Sequence, residues 1–189
     1  MFFIKGGFRS LLILLMCWGF SSAETPMKMG VRLGAGIYFF DDYVKSWWSD
    51  GDLMGVGLEG AYGVLMPIGS SSISFHPELA IQYTYVENNT SNTSLTEMNL
   101  LLSPLFRYDW SRMFFELGPS MNWNIYNEWN TGYALDRQIS FGPVAGPGFK
   151  ISEQLEIGVR YSFWWMPYEK NDKGNNNFFG ILINGSYWF

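Results

Sequence analysis

The sequence predicts an all-β fold: a closed eight-stranded antiparallel up-and-down transmembrane β-barrel with short periplasmic turns and longer extracellular loops. Three observations carry that expectation. Beyond residue 27, apolar side chains alternate with small or polar ones at period two, as strands with two unlike faces require. The alternating stretches number eight, an even count that suits an antiparallel barrel. Only 15% of the 189 residues are charged, against about a quarter in soluble domains, while 48% are hydrophobic and 19% aromatic.

Composition also removes whole classes. The aromatic load excludes disorder, and a single cysteine excludes a disulfide scaffold. Seventeen acidic side chains against twelve basic ones argue against nucleic acid as a partner.

The chain opens with a segment that reads as a secretory signal, residues 1–23, which leaves 24–189 for the barrel. Lys5 and Arg9 supply the positive start, Leu11 to Trp18 a short apolar run, and Ser21-Ser22-Ala23 the small residues of a cleavage site. That run is too short to span a bilayer as a helix, which takes about 20 residues. A lipoprotein anchored at Cys17 is the rival, opposed by the bulky Met16 before it. Cleavage after Ala23 leaves no cysteine, ten basic and seventeen acidic side chains, a formal charge of −7.

The eight segments follow. Lys28 to Phe40 sets Met29, Val31, Leu33, Ile37 and Phe39 against Gly30, Arg32, Gly34 and Gly36. Asp52 to Met66 sets Met54, Val56, Leu58, Tyr62 and Val64 against Gly55, Gly57, Glu59 and Gly63. Ile73 to Val86 opposes Phe75, Leu79, Ile81 and Tyr83 to His76, Glu78, Ala80 and Gln82. Leu95 to Asp109 opposes Met98, Leu102 and Phe106 to Glu97, Asn99, Ser103 and Arg107. Arg112 to Asn124 carries Met113, Phe115 and Leu117 against Glu116, Gly118 and Ser120. Arg137 to Ile151 is weaker, with Phe141 and Phe149 against Ser140, Gly142 and Gly146. Leu155 to Trp165 alternates Ile157, Val159 and Tyr161 with Glu156, Gly158 and Arg160. Asn177 to Phe189 places Ile181, Ile183, Tyr187 and Phe189 opposite Gly180, Asn184, Ser186 and Trp188.

The connections alternate in length. Asp41 to Gly51, Glu87 to Ser94, Ile125 to Asp136 and Met166 to Asn176 are long. Pro67 to Ser72, Trp110-Ser111 and Ser152 to Gln154 are short, the asymmetry of outer-membrane barrels. No other stretch could cross a membrane as a helix.

Which face is wet decides the function class. The polar face is rich in glycine and serine, and Lys45, Lys170 and Lys173 fall in loops, whereas a water-facing sheet usually carries lysine along its strands. Its charges come in both signs: Arg32, Arg107 and Arg160 against Glu59, Glu78, Glu97, Glu116 and Glu156. Such charges pair when enclosed, since an unpaired one costs several kcal/mol. The apolar face gathers aromatics toward the segment ends: Tyr38, Phe39, Trp123, Trp164 and Trp165 at one rim, Trp110, Phe114, Tyr187 and Phe189 at the other. Two such girdles are expected at lipid headgroups. Pro77, Pro104, Pro119, Pro143 and Pro147 fall within the segments, in the lipid-facing phase, and are expected at bulges or rims.

The segments 101–108 (Leu-Leu-Ser-Pro-Leu-Phe-Arg-Tyr), 115–119 (Phe-Glu-Leu-Gly-Pro), 141–146 (Phe-Gly-Pro-Val-Ala-Gly) and 158–162 (Gly-Val-Arg-Tyr-Ser), with the ending Tyr187-Trp188-Phe189, resemble a known group. The chain is similar to small Gram-negative outer-membrane barrels of OmpA- and OmpX-like architecture, and above all to the porin-family "outer membrane protein β-barrel domain" group. The resemblance implies an integral outer-membrane location, lipid contacts and a C-terminal strand, Phe189 with Tyr187, Ile183 and Ile181, read by the barrel-assembly machinery. Gly185 departs from that terminal pattern. Activity is not implied, because one barrel serves many roles.

Ser74, His76 and Glu78 share a face, which suggests a hydrolase. However, same-face neighbours on a strand stand about 6.6–6.8 Å apart, too loose for a nucleophile and its base. No oxyanion signature accompanies them. The Glu and Arg set could mark an ion path, but eight strands enclose a space that side chains fill, which favours a paired structural core. Asp41, Asp42, Asp50 and Asp52 lack calcium-loop spacing and read as a solvated loop. The triplets headed by Asn88, Asn89 and Asn92 suit a turn. Trp47, Trp48, Trp129 and Tyr133 anchor at the interface or meet a surface partner. The expectation is therefore a non-enzymatic barrel without metal or cofactor, having Arg32, Glu59, His76, Glu78, Glu97, Arg107, Glu116, Glu156 and Arg160 in its lumen. A soluble lipocalin-like carrier and a lipid-modifying enzyme using His76 are the alternatives.

Overall fold

A computed structural model describes residues 27–40, 53–88, 93–129, 139–166 and 176–189. It contains eight strands: β1 Lys28–Phe40, β2 Leu53–Pro67, β3 Ile73–Asn88, β4 Thr93–Trp110, β5 Met113–Trp129, β6 Ile139–Lys150, β7 Leu155–Met166 and β8 Asn176–Trp188. Each pairs antiparallel with its chain neighbour, and β8 closes on β1, so the sheet is a barrel without a free edge. The closure extends to the last residue, where the Phe189 amide donates to the Met29 carbonyl at 2.8 Å and the Met29 amide returns a bond at 3.3 Å.

Tight turns join β2 to β3, β4 to β5 and β6 to β7 at one rim. Trp110 pairs with Met113 across a two-residue turn in which Ser111 takes a φ of 57°. The signal segment 1–23, the acidic residues Asp41, Asp42, Asp50 and Asp52, and the loop aromatics Trp47, Trp48 and Tyr133 lie outside the described residues.

The sheet's sidedness is unambiguous. Leu58 and Ile81 are 63% and 53% exposed on the outer surface, whereas Glu59 and Arg160 are 7% and 5% exposed inside. Aliphatic Leu33, Leu58, Leu79, Ile81 and Ile183 form an outer band with exposed aromatics on both sides of it: Phe39, Trp123 and Trp165 toward one rim, Trp110, Tyr108 and Phe189 toward the other. Among the described strand residues only Glu87 and Glu128 put a carboxylate on the outside, both near strand ends at the loop rim.

Four expectations need correction. Tyr38, Trp164 and Phe114 are buried in the lumen, not in the girdles. They occupy the inward phase, with Tyr38 two residues beyond Gly36 and Phe114 two before Glu116. β5 continues five residues past Asn124, because β4 and β5 shift register at Met98/Asn99 and Ile125 is the extra residue. A bulge of this kind breaks the period-two signal that marks a strand. β3 and β4 run to Asn88 and from Thr93, so half of the connection expected over Glu87 to Ser94 is strand. Lastly, Pro77, Pro104, Pro119 and Pro143 sit neither at that bulge nor at the rims, while Pro147, opposite Phe115, lies near the tight-turn rim. The pairs Pro77↔Pro104 and Pro119↔Pro143 are in register, and pairing that stops at Leu102↔Met121 and resumes at Phe106↔Leu117 sets Pro104 opposite Pro119. Four prolines therefore form a row across β3 to β6.

Candidate functional site

The lumen concentrates the chemistry. Inward glycines leave room for large neighbours: a methyl group added at Gly63 would lie 2.5 Å from His76 Nε2, and one at Gly30 2.5 Å from the Trp188 ring. This small-against-large fit lets eight strands enclose bulky charged groups.

Those groups form one connected array. Arg32 donates through Nε to Glu78 Oε2 at 2.9 Å and through its terminal nitrogen to Glu78 Oε1 at 2.6 Å and to Glu59. Arg160 reaches the same Glu78 Oε1 at 2.6 Å and Glu116 Oε2 at 2.8 Å. Arg107 clamps Glu156 with bonds of 2.7 and 2.6 Å, bonds Asp109 at 2.9 Å and lies 3.9 Å over the Phe114 ring. His76 Nδ1 lies 2.8 Å from Glu116 Oε1, and its Nε2 is 3.9 Å from Glu78. Gln82 donates to Tyr38 and Glu59, Trp188 Nε1 donates to Glu156 at 2.8 Å, and Lys150 pairs with Asp109 at 2.6 Å. Bonds to ionised groups in a low-dielectric interior are stronger than neutral ones, and each shared carboxylate links two cations.

Eight of the nine lumen residues named from sequence meet in this array. Glu97 does not. It is buried higher in the barrel, on the same inward face as Asn99, to which Asn124 and Asn127 add a chain of amides. The sequence reading sets Gln82 and Trp188 on the polar face but leaves them, with Asp109 and Lys150, out of the network, although all four stand in the inward phase. It also missed the apolar layer toward the loop rim, where Tyr38, Val86, Leu95, Trp164 and Phe178 cluster and Trp164 stacks on Phe178 at 4.5 Å between centroids.

Ser74 and His76 lie two positions apart on β3, and the imidazole is engaged by Glu116 and packed against Trp188 at 5.3 Å. Among the described residues no group of three or more His, Cys, Asp or Glu could hold a metal ion. Tyr187 and Phe189, the expected assembly signal, both face outward and are exposed.

No protein-family model matches the chain, and no curated relative matches it in sequence. Solved structures do match. Neisserial surface protein A (NspA) aligns with 87% of this chain and 100% of its own at 13% identity and a TM-score of 0.58. Ail, the attachment invasion locus protein of Yersinia pestis, solved with the heparin analogue sucrose octasulfate, aligns over 87% and 100% at 10% identity and a TM-score of 0.55. The outer membrane enzyme PagL aligns over 84% and 98% at 14% identity and a TM-score of 0.49. The chain has the fold of the small outer-membrane β-barrels. The outer-membrane location expected from the sequence is that of these neighbours.

Proposed function

We infer that this protein is an integral outer-membrane barrel with a closed lumen and no enzymatic activity, acting as a wall element or through its surface loops. The observation that carries the reading is sidedness: an aliphatic outer band flanked by aromatics, around an interior where guanidiniums and carboxylates pair with one another. Acyl tails suit the outside, and a filled interior suits neither bulk transport nor a carrier's ligand. His76 is committed to Glu116 beneath packed side chains, which favours a structural imidazole over a general base. The exposed C-terminal Phe189 and Tyr187 support assembly through β8. The four segments at the loop rim, residues 41–52, 89–92, 130–138 and 167–175, contain seven acidic and four basic side chains. That balance disfavours a polyanion such as the heparin analogue bound to Ail and favours a basic or aromatic surface partner.

Cell fractionation tests the reading. Recovery in the outer-membrane pellet, with a band that changes migration on boiling, is the expected result. A detergent-free soluble monomer would return the chain to the carrier class. Lipid analysis of a His76→Ala strain is expected to match wild type, and an altered lipid profile would restore the enzyme reading.

A further inference from the structure

Three Gly-Pro dipeptides, Gly118-Pro119, Gly142-Pro143 and Gly146-Pro147, share one geometry. Each proline faces outward and each glycine inward. The carbonyl opposite each proline lacks the amide that a ladder bond needs, since proline carries no N–H. By register these carbonyls belong to Pro104, Phe163 and Val159. The same three oxygens lie where a side chain on the preceding glycine would begin: 2.4 Å from a methyl group built on Gly118, 1.6 Å from one on Gly142 and 2.1 Å from one on Gly146. The freed carbonyls thus crowd the inner face of the wall, in the space that absent side chains leave there.

The outside of the wall carries the complementary depression. A groove of about 560 Å³ crosses β4 to β7, lined by Leu102, Pro104, Pro119, Phe141, Pro143 and Trp165, and its surface is almost wholly apolar. Pro104, Pro119 and Pro143 are rigid parts of its lining, and Gly118 and Gly142 beside them carry no side chain that could fill it. A void against hydrocarbon forfeits the dispersion contacts of every atom lining it. A second barrel is convex and would bridge the groove, whereas a thin, flexible methylene chain follows it.

We propose that this groove is a binding site for one acyl chain of a bilayer lipid, held longer than the lipids around the rest of the wall. The proposal rests on the membrane-embedded reading above. The full-length protein is reconstituted in vesicles of palmitoyl-oleoyl phosphatidylethanolamine doped with a phosphatidylethanolamine bearing a diazirine within one acyl chain. It is then irradiated and the adducts are mapped, alongside Leu102→Trp, which fills the groove, and Leu33→Trp, which enlarges an outward residue on the far side. Adducts are expected to concentrate on the β4–β7 groove, to fall several-fold in Leu102→Trp and to stay unchanged in Leu33→Trp. Labelling spread evenly around the belt, or indifferent to Leu102→Trp, overturns the proposal while leaving the membrane reading intact. A wild-type dimer in sedimentation that Leu102→Trp splits would assign the groove to a second copy and equally overturn it. A protein that neither floats with the vesicles nor changes migration on boiling would instead sink the membrane reading itself, and the site with it.

Discussion

At the scale of single residues, close approach and charge pairing make separate predictions. Gly142 has no room for a methyl group, because the Phe163 carbonyl oxygen occupies that space at 1.6 Å. Gly60 has only a flexible leucine tip at 3.7 Å. Overpacking a tight site costs about 1–3 kcal/mol or more, so Gly142→Ala should lower the temperature at which the detergent-solubilised barrel loses its folded band, and Gly60→Ala should leave it in place. For charge, Arg107→Ala strips Glu156 and Asp109 of a shared partner. Breaking a buried pair from one side costs about 3–5 kcal/mol, to be read by denaturant titration in detergent. Glu97 reverses the expectation. It is buried with amide donors, and among the described residues no cation faces it, so Glu97→Gln removes a charge that burial disfavours. The same titration should show Glu97→Gln as stable as wild type or more so, and Glu78→Gln, which faces two guanidiniums, well below it.

At the scale of strands, the sequence was legible wherever alternation ran unbroken. β1 ends at Lys28 and Phe40 as the pattern implied, because nothing interrupts its period. β5 was cut short for the opposite reason: Ile125 is one residue too many, and the pattern past it changes phase. Phase also fixes a side chain's face but not its height. Glu97 shares the lumen with Glu78, yet Glu97 pairs with Thr84, six positions up β3 from Glu78, about 20 Å along the strand. Only register separates the two. Likewise Tyr38 and Trp164 lie near loops in sequence, which suggests a girdle, but phase turns both inward. The closing strand allows a test that separates folding from assembly. Phe189 is 63% exposed on the outer wall and completes the pairing with Met29 through its backbone alone. Surface substitutions of this kind usually change stability by less than about 0.5 kcal/mol. Phe189→Ala should therefore refold into detergent as wild type does, while reaching the outer membrane of cells in reduced amount. Equal amounts in cells would remove the assembly role assigned to that residue.

At the scale of the whole barrel, two layers of different physics cross the interior, and on the closed-lumen reading proposed above each is a barrier. An ionic layer built on Arg32, Glu78, Glu116 and Arg160 lies toward the tight turns, and an apolar layer of Tyr38, Val86, Leu95, Trp164 and Phe178 lies toward the loops. A permeating ion would have to break charge-assisted bonds in the first and shed its water in the second. Each barrier suffices alone, because either one removes hydration from the ion without an adequate replacement. Arg160→Ala loosens the ionic layer but leaves the stacked Trp164 and Phe178 in place. Trp164→Ala opens the apolar layer but leaves five carboxylates and three guanidiniums knotted below. Wild type and both single variants should therefore be silent in a planar bilayer, and the double variant Arg160→Ala/Trp164→Ala should conduct. A comparable current through either single variant would show that one layer alone holds the barrel shut. A steady current through wild type would mean that neither layer seals it.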